Sequence, residues 1–429
     1  MMLKQKEFVK MAKQKQLNPE INNNKNDSSP QLTFTAPVKV GSKEFEHLIT
    51  AIARNAQERR NAGSEARPYF SIDLIRQSKL GALRLPIELG GGGASIRDLF
   101  YAVTRLAEAD PDVAHSLRFH YYQVEEFLLS PNNELRNTWL KRVADGTIIG
   151  NAYTEISNNN VGSSVYETTL SPDGDGYRLN GTKYFSTGTL YADWVFVTAS
   201  TPEGLNVSAL IPTDREGVII EDDWDGIGQR LTGSGTTVLK NAFVHKNEVT
   251  VTNEEQTPFN SFLQLILHAV IAGILRNVVT DASSLVKRRT RTFSFAAAEK
   301  PNEDPQLLQI IGQLSSSAFA AEAIVLAAAD ALDIAVNSAV EGVIDYSLSH
   351  DASLQAAKAK VIVDNLALQS STQLFDVGGA SATRQSANLD RHWRNIRTIA
   401  SHNPVVYKAR AIGNYVVNDS ELPIGEIYF

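Results

Sequence analysis

The chain has 429 residues, of which 43% are hydrophobic and 21% charged, a composition typical of a globular protein with two or three domains. A formal net charge of −7 argues against a nucleic-acid-binding surface and favours a soluble cytoplasmic protein. The sequence contains no cysteine, which excludes disulfides, thiolate nucleophiles and cysteine-ligated metal centres, so any redox chemistry must come from a bound cofactor.

The N-terminal third divides into a polar segment and a helical one. Residues 1–35 are rich in lysine and asparagine, do not contain the apolar core of a secretory signal, and are predicted to form a mobile tail. Beyond them, the apolar residues Phe45, Leu48 and Ile52 recur at helical spacing. We therefore predict an N-terminal helical domain over residues 36–149.

Short strands replace helices over residues 150–250. Tyr177–Leu179 and Thr182–Phe185 flank Asn180-Gly181, a pattern that predicts a hairpin with a two-residue turn. Further strands are predicted at Trp194–Ala199, Val207–Ile211, Val218–Glu221 and Thr236–Val244. Together these strands predict a middle domain built as a small β-barrel or β-sandwich.

The remaining residues, 251–429, return to a helical pattern after a polar linker near residues 250–257. Gln306–Asn337 is predicted to form one helix of about 32 residues, about 48 Å long. That length suits a helical bundle packing against neighbouring subunits. The longest apolar candidate for a membrane span, Ala318–Ala335, is interrupted by acidic residues, so we predict a buried helix and no membrane interaction.

Four segments resemble a known family. They are Gly81–Pro86, Leu106–Ala114, Ala152–Glu155 followed by Gly162-Ser163, and Leu179–Ser186. Together with the order of the domains, they resemble the acyl-CoA dehydrogenase superfamily over nearly the whole chain after about residue 40. The resemblance implies a mainly α-helical protein with a central β-domain, in which an N-terminal helical domain, a middle β-barrel or sandwich and a C-terminal four-helix bundle follow one another.

A segment near the C-terminus separates two branches of that superfamily. Where the dehydrogenases commonly carry a glutamate that removes a substrate proton, this chain has His402 and Asn403, and an amide cannot serve as that base. Arg391–Asn395 running into Ser401–Pro404, with support from Trp224–Gly235, is more similar to the reduced-flavin-dependent monooxygenases typified by dibenzothiophene monooxygenase.

That branch implies a two-component flavin monooxygenase. Such an enzyme takes reduced FMN from a separate reductase, forms a C4a-hydroperoxide with O2, and transfers one oxygen atom to a small apolar substrate, for which an organosulfur compound is the first choice. FMN is expected rather than FAD, in a homotetramer whose long helices pack against other copies. Two alternatives stay open: an acyl-CoA dehydrogenase with FAD and a relocated base, and a flavin-fold protein adapted to binding or regulation.

The resemblance also implies flavin contacts in the middle domain, at Thr154, Phe185, Ser186 and Thr187. A hydroxyl at Ser186 or Thr187 is expected to hydrogen-bond the flavin or the activated oxygen, which makes Ser186 a catalytic candidate. The alternative is that these hydroxyls satisfy backbone groups at the end of a strand.

Two histidines are the leading catalytic candidates. His402 lies in the site segment, where an imidazole can donate to a reactive oxygen or orient the substrate near neutral pH; a histidine that satisfies helix-end carbonyls is the alternative. His120 resembles a histidine in the pocket wall of the same branch, with a core histidine as the alternative. Tyr121 and Asn403 are expected to join His120 in binding the substrate, whereas His115 is a weaker candidate.

The phosphate of FMN needs a fixed cation, and arginine suits bidentate binding of phosphate. Arg291, near the end of a basic helix, is implied to bind the flavin of a neighbouring subunit, with a solvated helix end as the alternative. Gly378, Gly379 and Ala380 resemble the family's Gly-Gly turn, which touches a partner subunit's flavin. No metal site is predicted.

Overall fold

A computed structural model describes residues 34–63, 66–157, 165–251, 257–426 and 429. Most of the predicted N-terminal tail, the Gly162-Ser163 pair and most of the predicted linker lie outside the described residues. The helices before the sheet are α1 (Lys43–Asn61), α2 (Tyr69–Ser78), α3 (Ile96–Ala109), α4 (Pro111–Ser116), α5 (Arg118–Leu129) and α6 (Glu134–Ala144).

Side chains define where these helices begin. The Ser42 hydroxyl accepts the Phe45 N–H at the start of α1, and Ser95 and Asp98 form a capping box at the start of α3. The carboxylate of Asp110 caps α4, whereas α5 begins at Arg118 without a side-chain cap. Leu117 alone separates α4 from α5. The helical periodicity is interrupted at this residue, so the side chains of α4 and α5 do not form one continuous helix face.

The middle region forms one mixed sheet of eight strands. They are β1 (Ile149–Ala152), β2 (Thr169–Asp173), β3 (Gly176–Lys183), β4 (Trp194–Ser200), β5 (Asn206–Pro212), β6 (Val218–Ile220), β7 (Thr237–His245) and β8 (Val249–Val251). Their order is β6-β7-β3-β2-β4-β5-β8, with β1 pairing in parallel with β4. Buried aliphatic residues from β2 to β7, among them Leu170, Val197 and Ile211, form the core of this region.

The predicted hairpin at Asn180-Gly181 is wrong. Strand β3 runs straight through these residues, with a bulge between Leu179 and Gly181 in its pairing with β7. The hairpin turn lies earlier, at Gly174 and Asp175, between β2 and β3. Gly174 supplies the positive φ of +56° that such a turn requires, while the Asn180 side chain accepts the N–H of Asn241 on β7.

The C-terminal helices are α7 (Phe259–Arg288), α8 (Pro305–Asn337), α9 (Tyr346–Gly378), α10 (Asp390–Ala400) and α11 (Val405–Asn418). Helices α7, α8 and α9 pack on one another, and α3 packs against α7, so both helical regions share one core. The predicted long helix is confirmed as α8, which has 33 residues.

One helix of the described residues, α7, is long and apolar enough by length and composition to cross a membrane. This corrects the sequence analysis, which named Ala318–Ala335 as the longest apolar candidate. Within the fold, 78% of the most apolar stretch of α7 is buried against other helices. A core helix surrounded by protein accounts for that hydrophobicity.

The predicted order of helices, sheet and helices is confirmed. The strands predicted after residue 190 are confirmed as β4, β5, β6 and β7, each within two residues of its expected bounds. The fold brings the end of α10, the start of α5 and the loop before β7 together, and this junction holds the candidate site.

Candidate active site

The turn between α10 and α11 presents His402 and Asn403. The His402 N–H donates to the carbonyl of Ile399, and Pro404 then starts α11. Asn403 is buried, and its Nδ2 donates to Oε1 of Gln264 on α7 at 3.3 Å. This bond ties the turn to the central helix, so the position of the imidazole is fixed by the core.

A buried ion pair supports the turn from below. Nζ of Lys360 on α9 donates to Oδ2 of Asp364 at 2.8 Å and to the carbonyl of Ala400 at 3.3 Å. Nε2 of His268 lies 3.3 Å from the other oxygen of Asp364. Burial raises the pKa of Asp364, but contact with His268 and the charge of Lys360 outweigh it and lower that pKa. The carboxylate is therefore ionised and paired.

Arg118 faces His402 from the start of α5. Its Nε donates to the carbonyl of Leu263 at 2.8 Å, and one Nη lies 3.1 Å from Nε2 of His402. A guanidinium can only donate, so Nε2 of His402 is the acceptor and its proton is assigned to Nδ1. Surrounding protein atoms and the charge of Arg118 lower the pKa of His402 well below its usual value, although the residue keeps solvent exposure. An exposed, neutral imidazole of this kind is typical of the wall of a cleft.

His115 on α4 belongs to the same group. Its Nδ1 lies 2.8 Å from Oε1 of Gln229, and both side chains are buried. Burial, and then the charge of Arg118, lower the pKa of His115 to about 4. The remaining ring nitrogen of His115 and the amide nitrogen of Gln229 have no hydrogen-bond partner among the described residues. Unpaired buried polar atoms are costly, so a ligand or a water is expected beside them.

The predicted flavin segment follows β3. Phe185 adopts a left-handed backbone with φ of +57° and leaves 51% of its surface exposed, with its ring edge-on to Trp224 at 6.0 Å between centroids. Backbone bonds on both sides hold this conformation, from Tyr184 N to the carbonyl of Thr154 and from Ser186 N to the carbonyl of Gly235. A strained, exposed aromatic residue in a fixed frame is typical of a ligand contact.

The hydroxyls of this segment divide into two kinds. Ser186 is buried, and its Oγ accepts the hydroxyl of Thr237 at 2.9 Å, which favours the structural interpretation for the predicted catalytic Ser186. Thr187 is half-buried and lies 2.9 Å from the Ser234 hydroxyl, which in turn lies 2.6 Å from that of Thr232. Thr187 is therefore better placed than Ser186 to hydrogen-bond a flavin.

Thr154 joins the sheet to this segment. It forms an isolated antiparallel bridge with Tyr184, and the next residue, Glu155, accepts from the buried Nζ of Lys183 at 2.7 Å. Burial lowers the pKa of Lys183 to about 8, even though contact with Glu155 opposes the shift. The ion pair fixes the end of β3, from which the chain leads directly into Phe185 and Thr187.

His120 and Tyr121 are not brought to this group. His120 is fully buried, with Nε2 3.0 Å from the Gly81 carbonyl and Nδ1 accepting the N–H of Ile149 at 3.3 Å. Tyr121 is also buried in the helical core. Because both ring nitrogens of His120 are occupied by backbone groups, the structure favours the core-histidine interpretation. His115, the weaker candidate from the sequence, is the histidine of this helix pair whose ring contacts Gln229.

The predicted phosphate and partner-flavin residues lie at the opposite end of α7. Arg291 follows the last turn of α7 and is exposed, and the neighbouring Arg289 donates to the Val377 carbonyl at 2.8 Å. Gly378 ends α9, and Gly379 has φ of +58° with open space around its α-carbon. Gln264 and Arg288 are 24 residues apart on one helix, about 36 Å at 1.5 Å per residue. Within one chain, this cluster is therefore distant from His402.

Known protein families match this chain region by region, in line with its division into a middle sheet and C-terminal helices. Residues 152–242 match the model of the acyl-CoA dehydrogenase middle domain, and residues 265–407 match that of the acyl-CoA dehydrogenase C-terminal domain. A dibenzothiophene monooxygenase of Mycolicibacterium goodii is 31% identical over 361 residues, covering 80% of this chain and 86% of that one. The chain belongs to the flavin-dependent monooxygenases of the acyl-CoA dehydrogenase superfamily.

Solved structures of this monooxygenase family show the same fold. TdsC of Paenibacillus sp. A11-2, solved with FMN and indole, has a TM-score of 0.81 at 28% identity, covering 90% of this chain and 98% of that one. Methanesulfinate monooxygenase MsuC of Pseudomonas fluorescens has a TM-score of 0.80 at 27% identity with the same coverage. The predicted fold class and family are therefore confirmed.

Two residues of the candidate site, Arg118 and Gln229, were not singled out from the sequence. Gln229 lies within Trp224–Gly235, a segment quoted for the resemblance, and Arg118 lies two residues before the candidate His120. The contact between Arg118 and His402 joins residues 284 positions apart, and that between His115 and Gln229 joins residues 114 apart. No local sequence pattern predicts such distant contacts. For Arg118, the one indication in the sequence was a charged residue at the start of a helix that continues with aromatic residues.

Proposed function

We propose that this flavin monooxygenase takes reduced FMN from a separate flavin reductase and uses O2 to oxygenate a small organosulfur compound. The observation that carries the proposal is the neutral His402 imidazole, held against Arg118 where a dehydrogenase requires a carboxylate base. When bound, reduced FMN supplies two electrons and activates O2. The relatives whose names include dibenzothiophene and methanesulfinate support the choice of sulfur.

The residues of the middle domain fit a flavin. Phe185 offers an exposed flat ring beside Trp224, and the Thr187 and Ser234 hydroxyls lie along the same segment. An apolar surface with a few fixed polar groups is the usual composition of a cofactor site. We assign Phe185 and Thr187 to the ring system, with Thr154 holding the backbone of this segment through its bridge to Tyr184.

His402 holds a proton at Nδ1 and keeps it near neutral pH, because its low pKa makes the ring neutral in that range. A neutral donor can hydrogen-bond a reacting oxygen without delivering a proton to it prematurely. Asn403 and Gln264 orient the turn, and Lys360 binds its backbone from below. The site therefore positions His402 without ionising it.

The alternative of an acyl-CoA dehydrogenase is not favoured by the charges near the turn. Proton removal from a substrate requires an available carboxylate or another base of matched pKa. Asp364 is bound by Lys360 at 2.8 Å, and it is Lys360 that reaches the turn. His402 itself contacts a cation, Arg118. Such a setting suits the binding of oxygen atoms more than the removal of a proton.

The proposal includes a homotetramer in which the phosphate is bound across a subunit boundary. Arg291 and the Gly378–Ala380 turn are distant from His402 within one chain, as expected if they serve a neighbouring copy. Phe293 and Phe295, two and four residues after Arg291, are exposed apolar residues. Exposed apolar groups of this size are typical of subunit contacts. A cytoplasmic location and the reductase partner stay predictions.

The test is oxygen-isotope incorporation. The purified protein is incubated with FMN, NADH, a purified flavin reductase and an organosulfur substrate under ¹⁸O2, and the product is analysed by mass spectrometry. We expect one ¹⁸O atom per product molecule, and no product when the reductase is omitted. Product without ¹⁸O, or reduction of protein-bound FAD by an acyl-CoA under anaerobic conditions, would contradict the proposal and support the dehydrogenase.

A further inference from the structure

Gln229 adopts a backbone conformation that glutamine seldom takes. Its φ of +51° lies in the left-handed region, where glycine is unstrained, although the nearby Gly226 and Gly228 do not have a positive φ. The Gln229 N–H donates to Oδ1 of Asn395 at 2.8 Å, and the Gln229 side chain is bound by His115. These bonds hold the strained residue in place, so its carbonyl group has one fixed position.

Two side chains donate to the Gln229 carbonyl. Nε1 of Trp224 lies 2.9 Å from this oxygen, and Oγ1 of Thr232 lies 2.8 Å from it. A carbonyl oxygen can only accept, so the single hydrogen of the Thr232 hydroxyl is directed to Gln229. With two donors bound, both lone pairs of the carbonyl are used. Thr232 is fully buried, so solvent does not offer this hydroxyl another partner.

The direction fixed at Thr232 passes along two more hydroxyls. Oγ of Ser234 lies 2.6 Å from Oγ1 of Thr232, and Oγ1 of Thr187 lies 2.9 Å from Oγ of Ser234. Because the hydrogen of Thr232 is already engaged, Ser234 must donate to Thr232, and Thr187 must then donate to Ser234. A bond from Thr187 to the Phe185 carbonyl, 3.4 Å away, would consume the same hydrogen. In either arrangement the Thr187 hydroxyl presents only lone pairs to a ligand.

We propose that these three hydroxyls make the site selective for the reduced form of the flavin, with Thr232 and Ser234 as positioning residues. The inference rests on the assignment of Thr187 to the flavin ring, proposed above. Oxidised and reduced flavins differ at N5, which carries a lone pair in the oxidised ring and a hydrogen in the reduced one. An acceptor such as Thr187 binds a ring N–H but repels a ring lone pair. The hydroxyls thereby favour the form that a reductase supplies over the form that remains after the reaction.

The fixed carbonyl of Gln229 is what gives the hydroxyls their direction. A threonine hydroxyl without such partners rotates freely, so it can donate to N5 of an oxidised flavin or accept from N5 of a reduced one. Selectivity therefore depends on the far end of the series rather than on Thr187 alone. Replacing Thr232 by valine removes that fixed end while nearly keeping the shape of the side chain. Ser234 can then donate to Thr187, whose own hydrogen becomes available to a ligand.

Binding of the two forms of FMN to the full-length protein measures this selectivity. The Kd of oxidised FMN, and that of FMN reduced with dithionite, are determined by ultrafiltration under nitrogen. We expect wild-type protein to bind reduced FMN at least about tenfold more tightly than oxidised FMN. In Thr232→Val and in Ser234→Ala the ratio of the two constants should fall at least about fivefold, because Thr187 can then also donate to the oxidised ring. Thr187→Ser, which keeps the hydroxyl, should keep the wild-type ratio.

Thr104→Val is the matched control, because the buried Thr104 hydroxyl donates to the Phe100 carbonyl within α3, and its loss should leave the ratio unchanged. Equal weakening of both forms of FMN in Thr232→Val and Ser234→Ala would overturn the proposal, since these residues would then only support the fold. A wild-type ratio near one would overturn it as well. No substrate or oxygen is present in these measurements. Their outcome is therefore separate from the isotope experiment, which decides whether the protein oxygenates an organosulfur compound.

Discussion

The guanidinium of Arg118 lies 3.1 Å from Nε2 of His402, although the two residues are 284 positions apart. The contact joins the first helical region to the last turn before α11. Surrounding protein atoms and the charge of Arg118 lower the pKa of His402, and the contact fixes which of its nitrogens carries the proton. The same contact explains why the site departs from dehydrogenase chemistry: a cation occupies the neighbourhood in which a carboxylate base would have to lie.

Replacement of His402 by alanine is expected to uncouple flavin oxidation from oxygenation. Without the donor at Nδ1, product formed per reduced FMN consumed should fall at least about tenfold, within the usual range for loss of a proton-handling group. Oxidation of reduced FMN should continue, with hydrogen peroxide released. Because the pKa of His402 is depressed, its neutral form persists across about pH 6 to 8, and coupling in the wild type should be nearly constant there.

The control for this prediction is His47→Ala, since His47 is exposed on α1, far along the chain from the site. Product yield and peroxide release are measured together at several pH values. Unchanged coupling in His402→Ala would remove His402 from the reaction. A wild-type coupling efficiency that falls steeply between pH 8 and 6 would show instead that the imidazole becomes protonated in this range.

Arg291→Gln tests the predicted phosphate contact. The Kd of FMN should rise about tenfold or more, because a charge-assisted hydrogen bond contributes about 1.5–3 kcal/mol. Riboflavin, which has no phosphate, should bind equally well to both proteins. Arg288→Gln is the control, since Arg288 is also exposed at the end of α7. Flavin fluorescence quenching gives both constants, and an equal loss for FMN and riboflavin would indicate a disturbed fold.

The fold could be predicted from the sequence because its signals are local or repeated. A long helical pattern located α8, and short apolar runs bounded by turn residues located β4, β5 and β7. The hairpin was predicted because Asn180-Gly181 is the strongest local turn signal. No turn forms there, because Thr168 packs against Gly181 and the pairing with β7 keeps the strand extended. Tertiary contacts from outside the segment outweighed the local preference.

The site could be predicted only in part. His402 and Phe185 were found because they lie in segments that resemble a known family. His115 was ranked below His120, although His115 is the one whose ring contacts Gln229; the break at Leu117 leaves no periodicity that connects the two imidazoles. Arg118 and Gln229 contribute through contacts with distant segments, which the sequence alone does not show.

Lys183→Met is expected to destabilise the middle region. The Lys183 side chain is fully buried and paired with Glu155, whose side chain is 7% exposed. Removing the cation leaves that carboxylate without its partner, which costs about 3–5 kcal/mol of unfolding free energy. Arg178→Met on the same strand is the control, because its pair with Asp173 is exposed and should contribute at most about 1 kcal/mol. Chemical denaturation gives the unfolding free energy of both variants. Similar losses in the two would contradict the conclusion that burial makes the Lys183–Glu155 pair contribute more than the exposed pair of Arg178.

Gly188→Ala is expected to separate the flavin segment from α4. A β-carbon at Gly188 would lie 2.0 Å from the carbonyl oxygen of Ser116, so one of the two backbones must move. Gly174→Ala is the matched control, because Gly174 also has a positive φ but no atom lies within 4 Å of the added carbon. The control should lose only about 1–2 kcal/mol for its backbone conformation. Gly188→Ala should lose more stability and should also weaken FMN binding, which differential scanning calorimetry and flavin titration would show. Equal losses in the two variants would mean that α4 and the flavin segment are not in contact at this point.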